Sequence, residues 1–494
     1  MDMLLPLFVV IPLISSAFAV MAPWKWARDL LHLLVPALSL SAGVWLFSHT
    51  AEHGTLGHNV GLFPGGVAIP FVADAFSAVM IITTSLVALC ANWFATVSGE
   101  TRARYYPALT LVLITGVNGA LLTADLFNFF VFIEVMLLPS YGLIAMTGTW
   151  SRLAAGRTFV LVNLTASTLL VVGVGFVYAT TGTVNMAALR GAAEGNGPAV
   201  VAMGLVLIAI SAKAGIVPVH TWLPRTYPGT SAAVMGLFSG LHTKVAVYML
   251  YRIYVVIFDL SDRWNTLIVV LMVVSMLIGG FAGLAENSIR RVLAYQMVNG
   301  MPFILVMLAF TTGDAQRALA AGLLYALHHM VTVGSLVLAS GAIEETYGTG
   351  LLSKLSGLAR RDPWVAAVFA AGAFSVVGFP PFSGLWGKVA VVTSVARGDG
   401  WASWLVIGTI IVASFAALLA MFRVWRAVFW GRPMQHVPHT LRVRASLVAP
   451  AATLLAISVL MFLGSGPLMD ALHAATESLL DVSSYQESVL GAAQ

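Results

Sequence analysis

Four charged residues sit inside stretches too apolar to tolerate them by accident. Glu134 lies in the middle of LFNFFVFIEVMLLPSYGL, Lys213 stands just before Gly215 and Pro218, Lys244 lies within LHTKVAVYMLYR, and Lys388 follows the run GFPPFSG. A charge at the centre of a bilayer costs at least about 2.5–3.5 kcal/mol, so such a residue reads as functional by default. Four histidines, His220, His242, His328 and His329, fall within or at the edges of similar stretches. Histidine exchanges a proton near neutral pH. One acid, three lysines and intervening histidines are the parts of a proton path, because each group's charge depends on whether its neighbour is ionised. Plainer readings exist for each. Glu134 could be a structural ion-pair partner, Lys213 and Lys388 could bond carbonyls freed at a helix break, Lys244 could snorkel to an interface, and the histidines could be satisfied polar core residues. His328 and His329 are adjacent, so they point to different helix faces and one is expected to meet the bundle interior.

The elements that must hold these groups follow from composition. The chain has 494 residues, of which 59% are hydrophobic and 9% charged, against about 25% charged in an ordinary soluble domain. The bilayer is the solvent that fits. A single cysteine, Cys90, excludes a disulfide framework and any cysteine-based zinc or iron–sulfur site. The histidines have no acid or thiol at ligand spacing, so no metal and no cofactor is expected. Neither a dinucleotide-binding glycine loop in a strand–turn–helix context nor a P-loop is present. The net charge of +5 resides in short loops between apolar runs, which is a topology signal and gives no reason to expect a nucleic-acid partner. The N-terminal apolar run has Asp2 before it and Lys25 and Arg28 after it, the reverse of a signal peptide, and reads as a retained first helix.

A spanning helix needs about 20 apolar residues. Fourteen spans are expected, at 2–22, 30–49, 70–96, 106–122, 125–147, 156–180, 197–217, 230–257, 264–284, 291–311, 316–342, 363–395, 402–430 and 446–466. With that count, 17 of the 25 basic residues fall on one side. Arg190, Arg252, Arg263, Arg317 and Arg397 fall on the other. The positive-inside rule then places the basic side in the cytoplasm and both termini outside, with Asp125 at the outer surface and an acidic external tail over 467–494 that can form a short amphipathic helix.

Two spans are interrupted alike, around Gly215–Pro218 and around Gly378–Pro381. Proline removes a backbone donor and opens the helix. Corresponding breaks in two halves point to a transporter's ion path. The breaks are 163 residues apart, and the same offset carries the fifth span onto the tenth and the eighth onto the thirteenth. The expected organisation is an all-α polytopic protein. Residues 1–105 hold three N-terminal helices, 106–258 a first five-helix repeat, 259–431 a second, inverted repeat, and 432–494 a last span and tail.

The stretches TADLFNFFVFIEVMLLPSYGL, KAGIVPVHTWLPRTYPGTSAAVMGLFSGLHTKVAVYMLYR and ENSIRRVLAYQMVNGM resemble the antiporter-like family. It comprises the proton-pumping membrane subunits of respiratory complex I and the two large subunits of Mrp antiporters, and the likeness extends over nearly all fourteen spans. It implies that Glu134 is the family's essential fifth-span glutamate. Lys213 matches its seventh-span lysine, Lys244 its eighth-span lysine and Lys388 its twelfth-span lysine. In the eleventh span the family usually has a histidine and, four residues on, a lysine. His329 matches the histidine, but Val333 stands in the lysine's place, so the polar axis there is expected to lean on His328, His329 and water.

The DLFNFFVFIEV and PSYGL wording, the lysine at 388 and an end soon after the last span resemble the D-type subunits of Mrp antiporters more than a quinone-reductase subunit. The resemblance implies a secondary-transporter subunit rather than an enzyme. It would exchange monovalent cations such as Na⁺ for protons, work with other subunits of a hetero-oligomeric complex, and sit in a bacterial cell membrane. The runner-up is a proton-pumping membrane subunit of an NADH:quinone oxidoreductase or membrane-bound hydrogenase. A scaffold that has lost pumping is disfavoured, because all four charged positions are filled.

Overall fold

Apolar runs make long helices here, and several of them end at a glycine, as at Gly54, Gly99, Gly182 and Gly348. The computed structural model describes residues 2–491 apart from 64, 67, 147, 399, 435, 436 and 439. The expected end of the fifth span at 147 and the tail residues 492–494 therefore lie outside the described residues. The helices run α1 (Leu7–Met21), α2 (Lys25–His53), α3 (Ala75–Ser98), α4 (Tyr106–Leu122), α5 (Leu126–Ala145), α6 (Trp150–Thr181) and α7 (Gly197–Ala214). They continue with α8 (Trp222–Thr226), α9 (Ala232–Gly240), α10 (His242–Val256), α11 (Asn265–Ala282), α12 (Ile289–Leu305) and α13 (Ala315–Tyr347). The remainder are α14 (Leu358–Arg361), α15 (Pro363–Val377), α16 (Ser383–Val395), α17 (Trp401–Val428), α18 (Ala445–Leu463), α19 (Ser465–Leu480) and α20 (Val482–Leu490). Among the described residues, twelve helical segments are long and apolar enough to cross a membrane. α4 and α15 are apolar but shorter, at 17 and 15 residues. The fold is that of an all-α polytopic membrane protein.

Helix starts are set by local capping. Asp74 caps α3 by accepting from the Ser77 amide, and the Ser77 hydroxyl answers at the Asp74 amide. Asp125 caps α5 through the Asn128 amide at 2.7 Å. This gives Asp125 a job the sequence reading did not: it is a largely buried cap, 9% exposed, and not a free surface acid. A side-chain acceptor at this position satisfies an amide that the helix itself cannot.

The third span begins later than expected. Residues 70–73 form a strand, β2 (Pro70–Ala73), paired antiparallel with β1 (Leu56–Asn59), and the helix starts only at Ala75. The eighth span is two helices meeting at Leu241, and the tail is two helices, α19 and α20, rather than one.

Both expected breaks are present. α7 ends where Gly215 turns left-handed, at φ +75°, and α15 ends the same way at Gly378, at φ +102°. A side chain is strained at such angles and glycine is not. At the first break the Trp222 indole donates to Ala212 O at 2.9 Å and the Ser275 hydroxyl accepts from the Val217 amide at 3.2 Å, so freed backbone groups find partners as hydrocarbon demands. α13 is the hub. It packs against α3, α9, α12, α15, α16, α18 and α19. The best apolar windows of α9–α10 and of α13 are wholly buried within the protein, unlike those of α1, α2 or α18. Groups on these two segments are shielded from lipid by protein on every side.

Candidate functional site

Lys213 is the penultimate residue of α7, two residues before Gly215, and is 5% exposed. Its ammonium donates to the Ser167 hydroxyl at 2.8 Å and to Asn163 O at 3.4 Å, both on α6. Glu134 stands on α5, with its Oε1 buried and without a hydrogen-bond partner among the described residues. The two charges interact through space. No ion pair within 4 Å joins them among the described residues. Lys213 also acts electrostatically on His242. The His242 Nε2 shares a 2.9 Å hydrogen bond with the Ser140 hydroxyl of α5, and its ring stacks on Phe238 at 4.2 Å.

The next group is Lys244, two residues along α10 and fully buried. Its ammonium reaches Ser239 O at 3.2 Å and His329 Nδ1 at 3.0 Å. This mid-bundle position rules out snorkelling. The His329 Nε2 faces Gln296 O at 3.3 Å. His328, its neighbour on α13, turns to the opposite side, where Nδ1 meets the hydroxyls of Ser383 at 2.9 Å and Thr332 at 3.2 Å. Both histidines meet the interior, where the sequence led us to expect one. Val333 is buried without a polar role.

Lys388 on α16 closes the series. Its ammonium donates to Val377 O, the last carbonyl of α15, at 2.7 Å, and to Ser414 Oγ at 2.8 Å. It lies 5.5 Å from the centre of the Phe303 ring and acts electrostatically on His328. His220 stands apart. It is 7% exposed within the first break, its Nδ1 has no partner among the described residues, and it touches none of the other seven groups by hydrogen bond.

Two glycines make the room that the histidines occupy. A Cβ on Gly300 would lie 1.9 Å from His329 Cδ2, and one on Gly384 would lie 2.9 Å from His328 Cε1.

Arg252, sorted from the sequence with the outer basic residues, is buried inside the protein. It lies in α10, 2% exposed, and grips Asp74, 0% exposed, through two hydrogen bonds of 2.6 and 2.9 Å. The rings of Phe76, Tyr248 and Tyr485 surround its guanidinium at 5.0–5.4 Å. Asp74 and Arg252 are 178 positions apart, so their pairing had no local sequence signal. Glu100, on the short turn after α3, was also passed over. Its carboxylate accepts from Ser231 Oγ at 2.6 Å, and burial lifts its pKa from 4.5 to about 7.

The chain matches the family model described as "NADH:quinone oxidoreductase/Mrp antiporter, TM" over residues 123–415. The D-type subunit of the Na(+)/H(+) antiporter of Alkalihalophilus pseudofirmus is 31% identical over 498 residues, which cover 99% of this chain and all of that one. Its counterpart in the Na(+)/H(+) antiporter of Bacillus subtilis is 32% identical over 86% of each chain. Among solved structures, a chain of the Mrp complex from Dietzia superposes with a TM-score of 0.94 at 38% identity, over 99% of both chains. A chain of respiratory complex I from Thermus thermophilus gives 0.82 at 23% identity over 97% of this chain and 99% of that one, which shows a shared fold. The stretch from α5 into α17 thus carries the family's own pattern, and the chain belongs to the NADH:quinone oxidoreductase/Mrp antiporter family of transmembrane proteins.

Proposed function

We propose that this chain is the proton-translocating subunit of a multisubunit Na⁺/H⁺ antiporter, a secondary-transporter component rather than an enzyme. The observation that carries the reading is the contact between Lys244 and His329, 3.0 Å apart on the two segments best shielded from lipid. It stands in the series between Lys213 and His242 on one side and His328 and Lys388 on the other. Protons enter this series near Glu134. Loading Glu134 removes the charge that balances Lys213, and Lys213 then passes its own proton on; the lysines along the axis discharge and recharge in turn. The two interrupted helices belong to two inverted five-helix repeats, over 106–258 and 259–431, within fourteen crossings of a bacterial cell membrane, with both termini outside. Other subunits of the complex supply what the cation needs.

The relatives at 31–38% identity are antiporter subunits by name or complex, which favours this reading over a redox-driven pump. The test is cation-dependent dissipation of a pH gradient by the assembled complex in vesicles. Glu134→Gln and Lys213→Ala each abolish exchange, their combination is no worse than either alone, and Glu134→Asp retains part of it. A wild-type rate in Glu134→Gln refutes the reading.

A further inference from the structure

The two adjacent histidines have partners of opposite kinds. At His329, Nε2 faces a carbonyl, which only accepts, and Nδ1 faces Lys244, which donates. While Lys244 is charged, such one-way partners hold one arrangement of protons. His328 Nδ1 faces only hydroxyls, and a hydroxyl can either donate or accept. Those hydroxyls do not end there. Ser383 Oγ lies 2.7 Å from Ser458 Oγ on α18, and Ser458 Oγ lies 3.1 Å from Ser375 Oγ on α15. By a second arm, Thr332 Oγ1 lies 2.9 Å from the same Ser375 Oγ. All four hydroxyl residues are at most 1% exposed. Two chains of hydrogen bonds therefore run from His328 Nδ1 and converge on Ser375, one turn before the second helix break.

We propose that this hydroxyl network is a proton relay that loads and unloads His328 from the second helix break, with Ser375 as the junction of its two arms. The proposal rests on the proton-path reading above. In loading, a hydrated proton at the break gives a hydrogen to Ser375 Oγ. Ser375 passes its own hydrogen to Ser458, Ser458 to Ser383, and Ser383 to His328 Nδ1. Each oxygen gains one hydrogen and releases one. The imidazole gains a single proton while Nε2 keeps its hydrogen. Unloading is the reverse, with water as the acceptor. Thr332 provides the shorter route between the same ends. The charge so placed on His328 lies within electrostatic reach of Lys388 and of His329, so filling the relay acts on both halves of the axis. Ser458 thereby brings α18, which lies outside both repeats, into the path.

Two arms meeting at one junction leave a signature that packing alone does not. Proton flux would be measured in vesicles holding the assembled complex, with assembly and melting temperature followed for every variant. Ser375→Ala is expected to slow exchange roughly a hundredfold, the scale of a lost proton-transfer group. Thr332→Val and Ser458→Ala each leave one arm and are expected to slow it only slightly, while their combination is as slow as Ser375→Ala. Ser335→Ala is the control. It removes an equally buried hydroxyl between α13 and α18, bonded to Ala451 O at 2.7 Å, and should transport normally. If Ser375→Ala does not assemble, the Thr332→Val/Ser458→Ala pair decides. The relay is refuted if Ser375→Ala matches Ser335→Ala, or if the paired variant is merely the product of its singles. If Glu134→Gln transports at the wild-type rate in the same assay, the proton path itself has failed, and the relay with it.

Discussion

Gly300→Ala adds one methyl group to α12 and is expected to stop transport from a position that carries no charge. The built Cβ would sit 1.9 Å from His329 Cδ2 and 2.0 Å from Nε2, where ordinary contact begins at 3.4 Å. The ring must therefore withdraw from α12 by about 1.5 Å, the gap between those distances. Gln296 is one turn earlier on the same helix, and its carbonyl accepts from His329 Nε2 at 3.3 Å. Withdrawal breaks that bond and drives Nδ1 against Lys244, already at 3.0 Å. Overpacking a filled interior costs about 1–3 kcal/mol, and the lost hydrogen bond adds about 1 kcal/mol. The complex should assemble but melt several degrees lower. A misplacement of this size in a proton-transfer chain costs about a hundredfold in rate. Gly300→Ala/His329→Asn separates the two effects. The smaller side chain relieves the clash, so melting temperature returns toward the unmodified value while proton flux stays low. Normal flux in Gly300→Ala would refute the placement of His329 against α12 and with it the Lys244–His329 link. Full recovery of flux in the double variant would show that the imidazole itself is dispensable.

Lys388→Ala should reduce exchange without removing the complex from the membrane, because it strips the cap from Val377 O and the charge facing His328; unchanged flux at normal expression would make Lys388 peripheral. Asp74→Asn leaves Arg252 charged in a closed interior and is expected to destabilise the complex by about 3–5 kcal/mol, read as a fall in assembled yield and melting temperature, with Asp74→Asn/Arg252→Met recovering most of it. Glu100 has a folded pKa raised by burial, among Ser231, Arg152, Glu345 and Arg290 with Tyr106 close by. Its contribution to stability is therefore complete below pH 4.5 and is lost as pH rises through about 7. The melting temperature of the complex should fall across that interval, and Glu100→Gln should flatten the slope. This chain alone in vesicles should show no cation-dependent proton flux, and robust exchange would contradict a shared cation path.

Much of the site was legible because charge inside an apolar run is a strong signal that needs no partner to be noticed. Glu134, Lys213, Lys244 and Lys388 all stood out on that ground, and the two helix breaks announced themselves through Gly215, Pro218, Gly378 and Pro381. What a sequence cannot display is which distant groups meet. Arg252 was sorted with the outer basic residues on charge alone, and only the fold brings Asp74 under it. Hydroxyls were invisible for a different reason. Serine and threonine in membrane helices often bond the carbonyl one turn back, as Thr83, Thr165 and Thr409 do here, so Ser375 and Ser458 carry no mark of their different use. One clue was available, since Thr332 follows His328 by four residues and so lies on the same helix face. The strand at 70–73 was lost inside an apolar run that read as continuous with α3.

On the proposed proton path, the contrast between Arg252 and the lysines explains how one protein can keep some buried charges fixed and others exchangeable. A buried charge matched by a counter-charge and saturated with hydrogen bonds is held in one state, because removing either proton or partner leaves an ion stranded. Asp74 and Arg252 have that arrangement, with both carboxylate oxygens taken and three rings around the guanidinium. The lysines of the axis have neutral partners instead. Lys213 rests on a serine and a carbonyl, Lys244 on a carbonyl and an imidazole, Lys388 on a carbonyl and a serine. Such partners orient an ammonium without neutralising it, so the cost of burying its charge is only partly offset. A group left in that position loses little when it gives its proton away. It regains the proton when a neighbour's charge changes. An ion pair at 213 or 244 would make the fold more secure and the path inert. The incomplete pairing of Glu134 and Lys213, close enough to interact and without a direct bond, is therefore the arrangement that proton movement requires.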